Sequence, residues 1–120
     1  MSSFRDLISY KKAFALSMEI FWITKSFPKE ETYSLIDQIR RSSRSVFASI
    51  AEVYKKRKYP NHFVSKLTDA DMENGETQAW LDASLACNYI NEEKYQELNQ
   101  QSEEVSRLLT YMINNPDKFK

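Results

Sequence analysis

"LIDQIRRSSRSVFASIAEVYKKRKYP", residues 35–60, settles the kind of fold. Leu35, Ile36, Ile39, Val46, Ile50 and Val53 recur at helical spacing, with Phe47 and Tyr54 at the edge of the same stripe. Residues three and four apart lie over one another on a helix, so this spacing lines one buried face. Upstream, Pro28 suits the first helical position, which needs no N–H donor. Glu30 and Glu31 then sit near the positive end of the helix dipole, and Lys55, Lys56, Arg57 and Lys58 fall at its negative end. A helix over about residues 29–58 is expected.

The preceding segment reads as a helix over about residues 6–26. It carries two adjacent stripes: Leu7, Tyr10, Phe14, Phe21, and Ala13, Leu16, Ile20, Ile23, Phe27. Together they cover more than half the circumference, whereas a surface helix of a bundle needs only a stripe of about 100°. One face is expected in the monomer core and the other against a neighbouring subunit. A third helix is expected over about residues 61–89, with Phe63, Leu67, Ala70, Leu81 and Leu85 on its core face and Asn74 in the same column. Asp69, Glu73, Glu76 and Trp80 share a different face. Gly75 costs about 1 kcal/mol against alanine inside this helix; it either allows close packing or is tolerated.

The fourth helix is expected over about residues 92–115. Asn91 is its N-cap, Glu92 and Glu93 occupy the first turn, and Tyr95, Leu98, Val105, Leu108, Leu109 and Met112 supply the core. The apolar pattern fades across "NQQSEE", residues 99–104. Four helices with short connections make a single all-α domain, an antiparallel up-down four-helix bundle. The composition agrees. One glycine and three prolines in 120 residues are too few for the many turns of an all-β chain.

Seventeen basic and seventeen acidic residues cancel, so no global charge pulls the chain toward nucleic acid or membrane. The charges are nonetheless segregated. Arg40, Arg41, Arg44 and Lys55–Lys58 make one segment basic, and Asp69, Asp71, Glu73, Glu76 and Asp82 make the next acidic. Ser17 and Glu19 break the longest apolar stretch, so it cannot span a bilayer, and the N-terminus lacks a signal-peptide pattern. A cytoplasmic location is expected.

Enzyme signatures are nearly absent. One glycine cannot build a phosphate loop. The single histidine, His62, has no carboxylate-x-x-His partner, and the lone Cys87 reads as packing. Glu73 and Glu76, with Asp69, could in principle hold a divalent cation, although solvated or ion-paired glutamates are far commoner. No catalytic residue, cofactor or metal ligand is nominated. Glu52 is expected to pair with Arg41, Lys55 or Lys56.

The functional lead is the basic segment: Arg40, Arg41, Arg44, Lys55, Lys56, Arg57 and Lys58. At 100° per residue, Arg40, Arg44, Lys55 and Lys58 fall on one side of the second helix. Two readings stand. These residues contact nucleic-acid phosphates, with Tyr54 and Tyr59 available for base stacking. Alternatively, they pair with the acids of the third helix, within or between subunits.

"IRRSSRSVFASIAEVYKKRKYPNHFVSKLTDADMENGETQAWLDASLACNYI", residues 39–90, resembles the four-helix bundle family named for proteins encoded in intervening sequences of bacterial 23S ribosomal RNA genes. Residues 4–42 resemble the same family, as does the chain through Leu109 more loosely. The joint pattern carries the resemblance: Phe27-Pro28 with Glu31, Gln38-Ile39-Arg40-Arg41, Ile50-Ala51-Glu52, and Glu76-Thr77-Gln78 with Trp80-Leu81. Ser49 and Val53 replace the family's common asparagine and glycine around Ile-Ala-Glu, and Val53 suggests an unbroken helix into the basic turn. The resemblance implies a homopentameric ring of antiparallel four-helix protomers without established activity. The similar accessory protein of diversity-generating retroelements is a basic pentameric scaffold for RNA and a reverse transcriptase. The expected function is accordingly a non-catalytic oligomeric scaffold that binds RNA through the basic residues of the second helix. The alternative is a protein-interaction module with an unknown protein partner.

Overall fold

Four α-helices carry the chain in the computed structural model, which describes residues 3–120: α1 (Ile8–Thr24), α2 (Leu35–Tyr54), α3 (Pro60–Ala86) and α4 (Glu92–Asn114). Short 3-10 turns occupy Phe4–Asp6, Lys29–Glu31 and Pro116–Phe119. Each helix packs on its two neighbours around a square, α1 on α2 and α4, α3 on α2 and α4. Among the described residues the backbones of the diagonal pairs do not come close. This is the four-helix bundle expected from the periodicity, drawn out to 44 Å along its axis.

Several helix boundaries differ from the sequence expectation, each for a local reason. Asp6 does not open α1. Its carboxylate accepts from the Ser3 N–H at 3.2 Å while the Ser3 hydroxyl accepts from Arg5 N–H, closing a capping box on a separate turn. Pro28 opens only the 3-10 turn, and α2 begins at Leu35 after Ser34 leaves helical geometry. At its far end α2 stops at Tyr54, so Lys55–Lys58 form the connecting turn and not the helix's last turn. Pro60 begins α3 and disfavours helical geometry at Tyr59, whose backbone is φ −121°, ψ 84°. The buried Val53 therefore does not carry the helix onward. The far end of α3 is also shorter than expected: it ends at Ala86, and Asn88 follows at φ 61°, the left-handed geometry of a helix stop.

The core faces are those of the periodic stripes, but the core is not continuous. One apolar cluster holds Val46, Ile50, Phe63, Leu67, Val105 and Leu109 with their neighbours. A second holds Leu16, Ile20, Ile39, Leu81, Ile90 and Leu98 with theirs. Between them lie buried polar side chains from all four helices: Ser17, Ser42, Ser43, Asn74, Thr77 and Ser102. Ser17 Oγ lies 3.0 Å from Ser43 Oγ, and Ser42 Oγ lies 2.8 Å from Thr77 Oγ1. Asn74 donates to the Ser102 carbonyl at 2.8 Å and accepts from the Ser102 hydroxyl at 2.9 Å. Among the described residues no buried side-chain polar atom lacks a partner. The faded pattern of α4 between Leu98 and Val105 is thus the position where Ser102 enters this layer.

Candidate functional site

The seven basic residues of interest separate into two groups. Arg40, Arg41 and Arg57 are engaged within the chain. Arg40 Nε donates to Thr24 Oγ1 at 2.9 Å, its Nη2 donates to the Phe21 carbonyl, and its guanidinium lies 4.8 Å from the Phe21 ring centre. Partial burial, then the neighbouring Arg44 charge, lower the Arg40 pKa from its ordinary value. Arg41 bridges two acids of α3, Glu73 at 3.0 Å and Glu76 at 2.5 Å. The hydrogen bond to Glu76 raises the Arg41 pKa, and the same bond holds the Glu76 carboxyl below its usual range. Arg57 folds back, donating from Nε to the Tyr54 carbonyl at 2.8 Å with its guanidinium 3.7 Å from the Tyr54 ring centre.

Arg44, Lys55, Lys56 and Lys58 are exposed. Among the described residues none of these four forms an ion pair. Because Lys55–Lys58 have left the helix, the angular placement that grouped Lys55 and Lys58 with Arg40 and Arg44 does not apply. Glu52 faces Lys66 at 3.7 Å, not the three partners expected for it. Of the two tyrosines, Tyr54 is buried under Arg57, whereas Tyr59 is 59% exposed with Lys56 Nζ 5.5 Å from its ring centre. Cys87 is exposed and does not serve as core packing.

The acids of α3 are also largely engaged. Asp71 accepts from the Ser106 hydroxyl at 2.8 Å, and Asp82 accepts from the Tyr95 phenol at 2.6 Å. Glu73 and Glu76 face a guanidinium instead of each other across a cation. The chemistry available to these carboxylates is charge pairing and hydrogen bonding across helix boundaries.

Two surface features remain. The first lies on α1. Phe14 and Tyr10, on the stripe that begins at Leu7, pack with Phe47 of α2, and Phe21 of the same stripe carries Arg40. That stripe is therefore partly used inside the chain. The face left open is turned further out: Ile8 is 59% exposed, Trp22 66%, and Ala15 and Met18 lie between them. Ala15, Met18 and Trp22, with Phe14, Ile23 and Leu98 of α4, line an apolar groove rimmed by Glu19 and Lys94. Ile8, Ala15 and Trp22 are seven apart, with Met18 at the intermediate position, the spacing of a helix–helix seam.

The second feature lies at one end of the bundle, and the reading of single helices missed it. The up-down order brings the Phe4–Asp6 turn, the Lys55–Tyr59 turn and the Pro116–Phe119 turn together: Phe4 and Phe119 both pack on the cluster that contains Tyr54 and Phe63. Arg5, Lys118 and Lys120 thereby join the basic turn. Bundle topology was the available signal, because the first and last segments of a four-helix up-down chain share the end that holds the middle connection. At the opposite end the α3–α4 connection and the first turn of α4 carry Glu92 and Glu93 and no base through residue 93.

No curated protein matches the chain. Among solved structures it is similar to a protein of unknown function from the S23 ribosomal protein family of Bacteroides thetaiotaomicron. The two share 28% identity and superpose with a TM-score of 0.79, covering 89% of this chain and 96% of that one. No described helix is long and apolar enough to cross a membrane. The model of the family described as 23S rRNA-intervening sequence protein matches residues 5–111, which include α1, α2, α3 and nearly all of α4, and the chain belongs to that family.

Proposed function

We propose that this protein is a non-catalytic, cytoplasmic scaffold that self-associates through the outer face of α1 and holds RNA on its basic residues. The observation that carries the reading is the open apolar face of α1, where Trp22 is 66% exposed and lines, with Met18 and Ala15, the groove against Leu98. A tryptophan and its apolar neighbours exposed at seam spacing are best covered by another subunit. A ring of five copies is the number implied by the family resemblance. RNA contact falls first to Arg44, Lys55, Lys56 and Lys58, which are exposed and form no ion pair among the described residues. Arg40, Arg41 and Arg57 contribute charge from positions set by their internal partners. A ring repeats each weak phosphate contact and raises avidity without new chemistry.

The rival reading is a module whose basic and acidic faces pair between subunits or with another protein. Its support is the basic α2 beside the acidic α3, but Arg41, Glu73 and Glu76 already satisfy one another inside one chain.

Light scattering and RNA anisotropy test both halves. Wild type is expected to be oligomeric, and Met18→Glu with Trp22→Glu is expected to give a folded species of lower mass. Wild type is also expected to bind labelled structured RNA with an affinity that falls as salt rises. Changing Lys55, Lys56, Arg57 and Lys58 to serine makes that slope shallower at unchanged mass. A monomeric wild type overturns the scaffold, and absence of binding at low salt overturns the RNA function. Loss of assembly in the serine variant supports the rival.

A further inference from the structure

The bundle's basic end offers more than a row of charges. Tyr59 stands out from the α2–α3 turn, 59% exposed, and its backbone is held on both sides. Its N–H donates to the Lys56 carbonyl at 2.9 Å, its carbonyl accepts from Phe63 N–H at 2.9 Å, and Pro60 follows. Lys56 Nζ lies 5.5 Å from the ring centre, so a cation already sits beside the aromatic face. One helical turn onward, Phe63 packs on Phe119 at 6.1 Å, which brings Lys118 and Lys120 to the same end. The charged groups of the neighbouring terminal turns are occupied: Asp6 accepts from Ser3 N–H, Asp117 pairs with Lys120 at 3.1 Å, and Lys118 Nζ donates to the Tyr111 hydroxyl at 3.0 Å.

We propose that this end of the bundle binds unpaired nucleotides of RNA: a base stacks on Tyr59 while Lys55, Lys56 and Lys58 take the adjoining phosphates. The inference rests on the RNA reading above and moves its centre from the side of α2 to the end of the bundle. An exposed aromatic ring on a fixed backbone suits a splayed-out base, whose face is open, and not a duplex, whose bases are stacked on each other. The lysines supply the sequence-independent attraction that both forms share. In a cyclic assembly every basic end is related by rotation about one axis, so the sites recur around the ring.

The test compares a labelled single-stranded RNA oligonucleotide with the duplex of the same sequence, by anisotropy across a salt series. Single strand is expected to bind more tightly. Tyr59→Ala is expected to weaken single-strand binding roughly 5- to 100-fold, with little effect on the duplex, and Tyr59→Phe to stay near wild type. Changing Lys55, Lys56 and Lys58 to serine is expected to make the single-strand salt slope shallower by about 0.7 for each phosphate no longer neutralised. Equal binding of both RNAs, unchanged by Tyr59→Ala, overturns this inference while leaving RNA binding intact. So does a salt slope indifferent to Lys55, Lys56 and Lys58. Absence of any binding overturns the inference together with the reading beneath it. A fall in assembled mass in the lysine variants overturns it in favour of a subunit contact through the basic end.

Discussion

Arg41 of α2 and Glu76 of α3 meet at 2.5 Å on the surface, and one residue further along each helix Ser42 and Thr77 meet at 2.8 Å in the interior. Two adjacent contacts, one wet and one dry, therefore pin the same crossing of α2 and α3. Glu73 adds a second carboxylate to the wet one at 3.0 Å.

Arg41→Ala is expected to lower stability modestly, by about 0.5–1 kcal/mol, because the guanidinium is nearly half exposed and water screens the pair. A double-mutant cycle with Glu76→Gln by urea unfolding measures the coupling. A coupling near zero would mean that the pair orders the surface without holding the bundle.

The buried polar layer has a different signature. Asn74→Leu alone is expected to cost roughly 1–3 kcal/mol, because the Ser102 hydroxyl is then left without its buried acceptor. Adding Ser102→Ala removes the orphaned hydroxyl and is expected to restore part of the loss, because the Gln78 amide then loses the acceptor it has at 3.0 Å. Chemical denaturation of the two variants checks this, and a double variant no better than the single would place the cost in shape instead of hydrogen bonding.

Gly75 meets nothing within 4 Å of where a Cβ would sit, and its φ is not positive. It is tolerated and not required for close packing. Gly75→Ala is expected to stabilise the protein by about 0.5–1 kcal/mol, through helix propensity and a less flexible unfolded chain. A thermal melt that moves downward would contradict the open space at this position.

Tyr89 and Glu31 tie the α3–α4 connection to the start of α2. The Tyr89 phenol donates to Glu31 at 2.7 Å, and the Leu35 N–H donates to the same carboxylate at 3.3 Å. Those bonds hold the Glu31 carboxyl below its ordinary range, and the Glu31 bond pushes the Tyr89 phenol up to about 12. A lowered carboxyl pKa gives stabilisation that is complete above the unfolded value of about 4.3 and lost as pH falls through the folded one. The raised phenol acts oppositely, stabilising below its unfolded value of about 10 and losing that effect as pH rises through about 12. Thermal melts of wild type and Tyr89→Phe between pH 7 and pH 3 are expected to converge as pH falls. A difference constant over that range would exclude Glu31 as the titrating partner.

The four helices, most of their inward faces, the Asn91 cap and the family were all legible in the order of residues. Periodicity and capping act within a few residues, so they are written locally: Asn91 Oδ1 does accept from Lys94 N–H at 2.8 Å. Even the local record misled where two signals competed, as at Lys55–Lys58, where Pro60 and the need to reverse direction ended α2 early. Four things waited for the folded chain: which cations remain exposed, which face of α1 stays open, that a polar layer divides the core, and that the turn carrying Tyr59 shares its end with Lys118. Each of these depends on residues far apart in the chain arriving side by side. Arg41 finds Glu76 across 35 positions and Phe63 finds Phe119 across the whole of α3 and α4. Helical spacing says which way a side chain faces, and only packing says what it meets there.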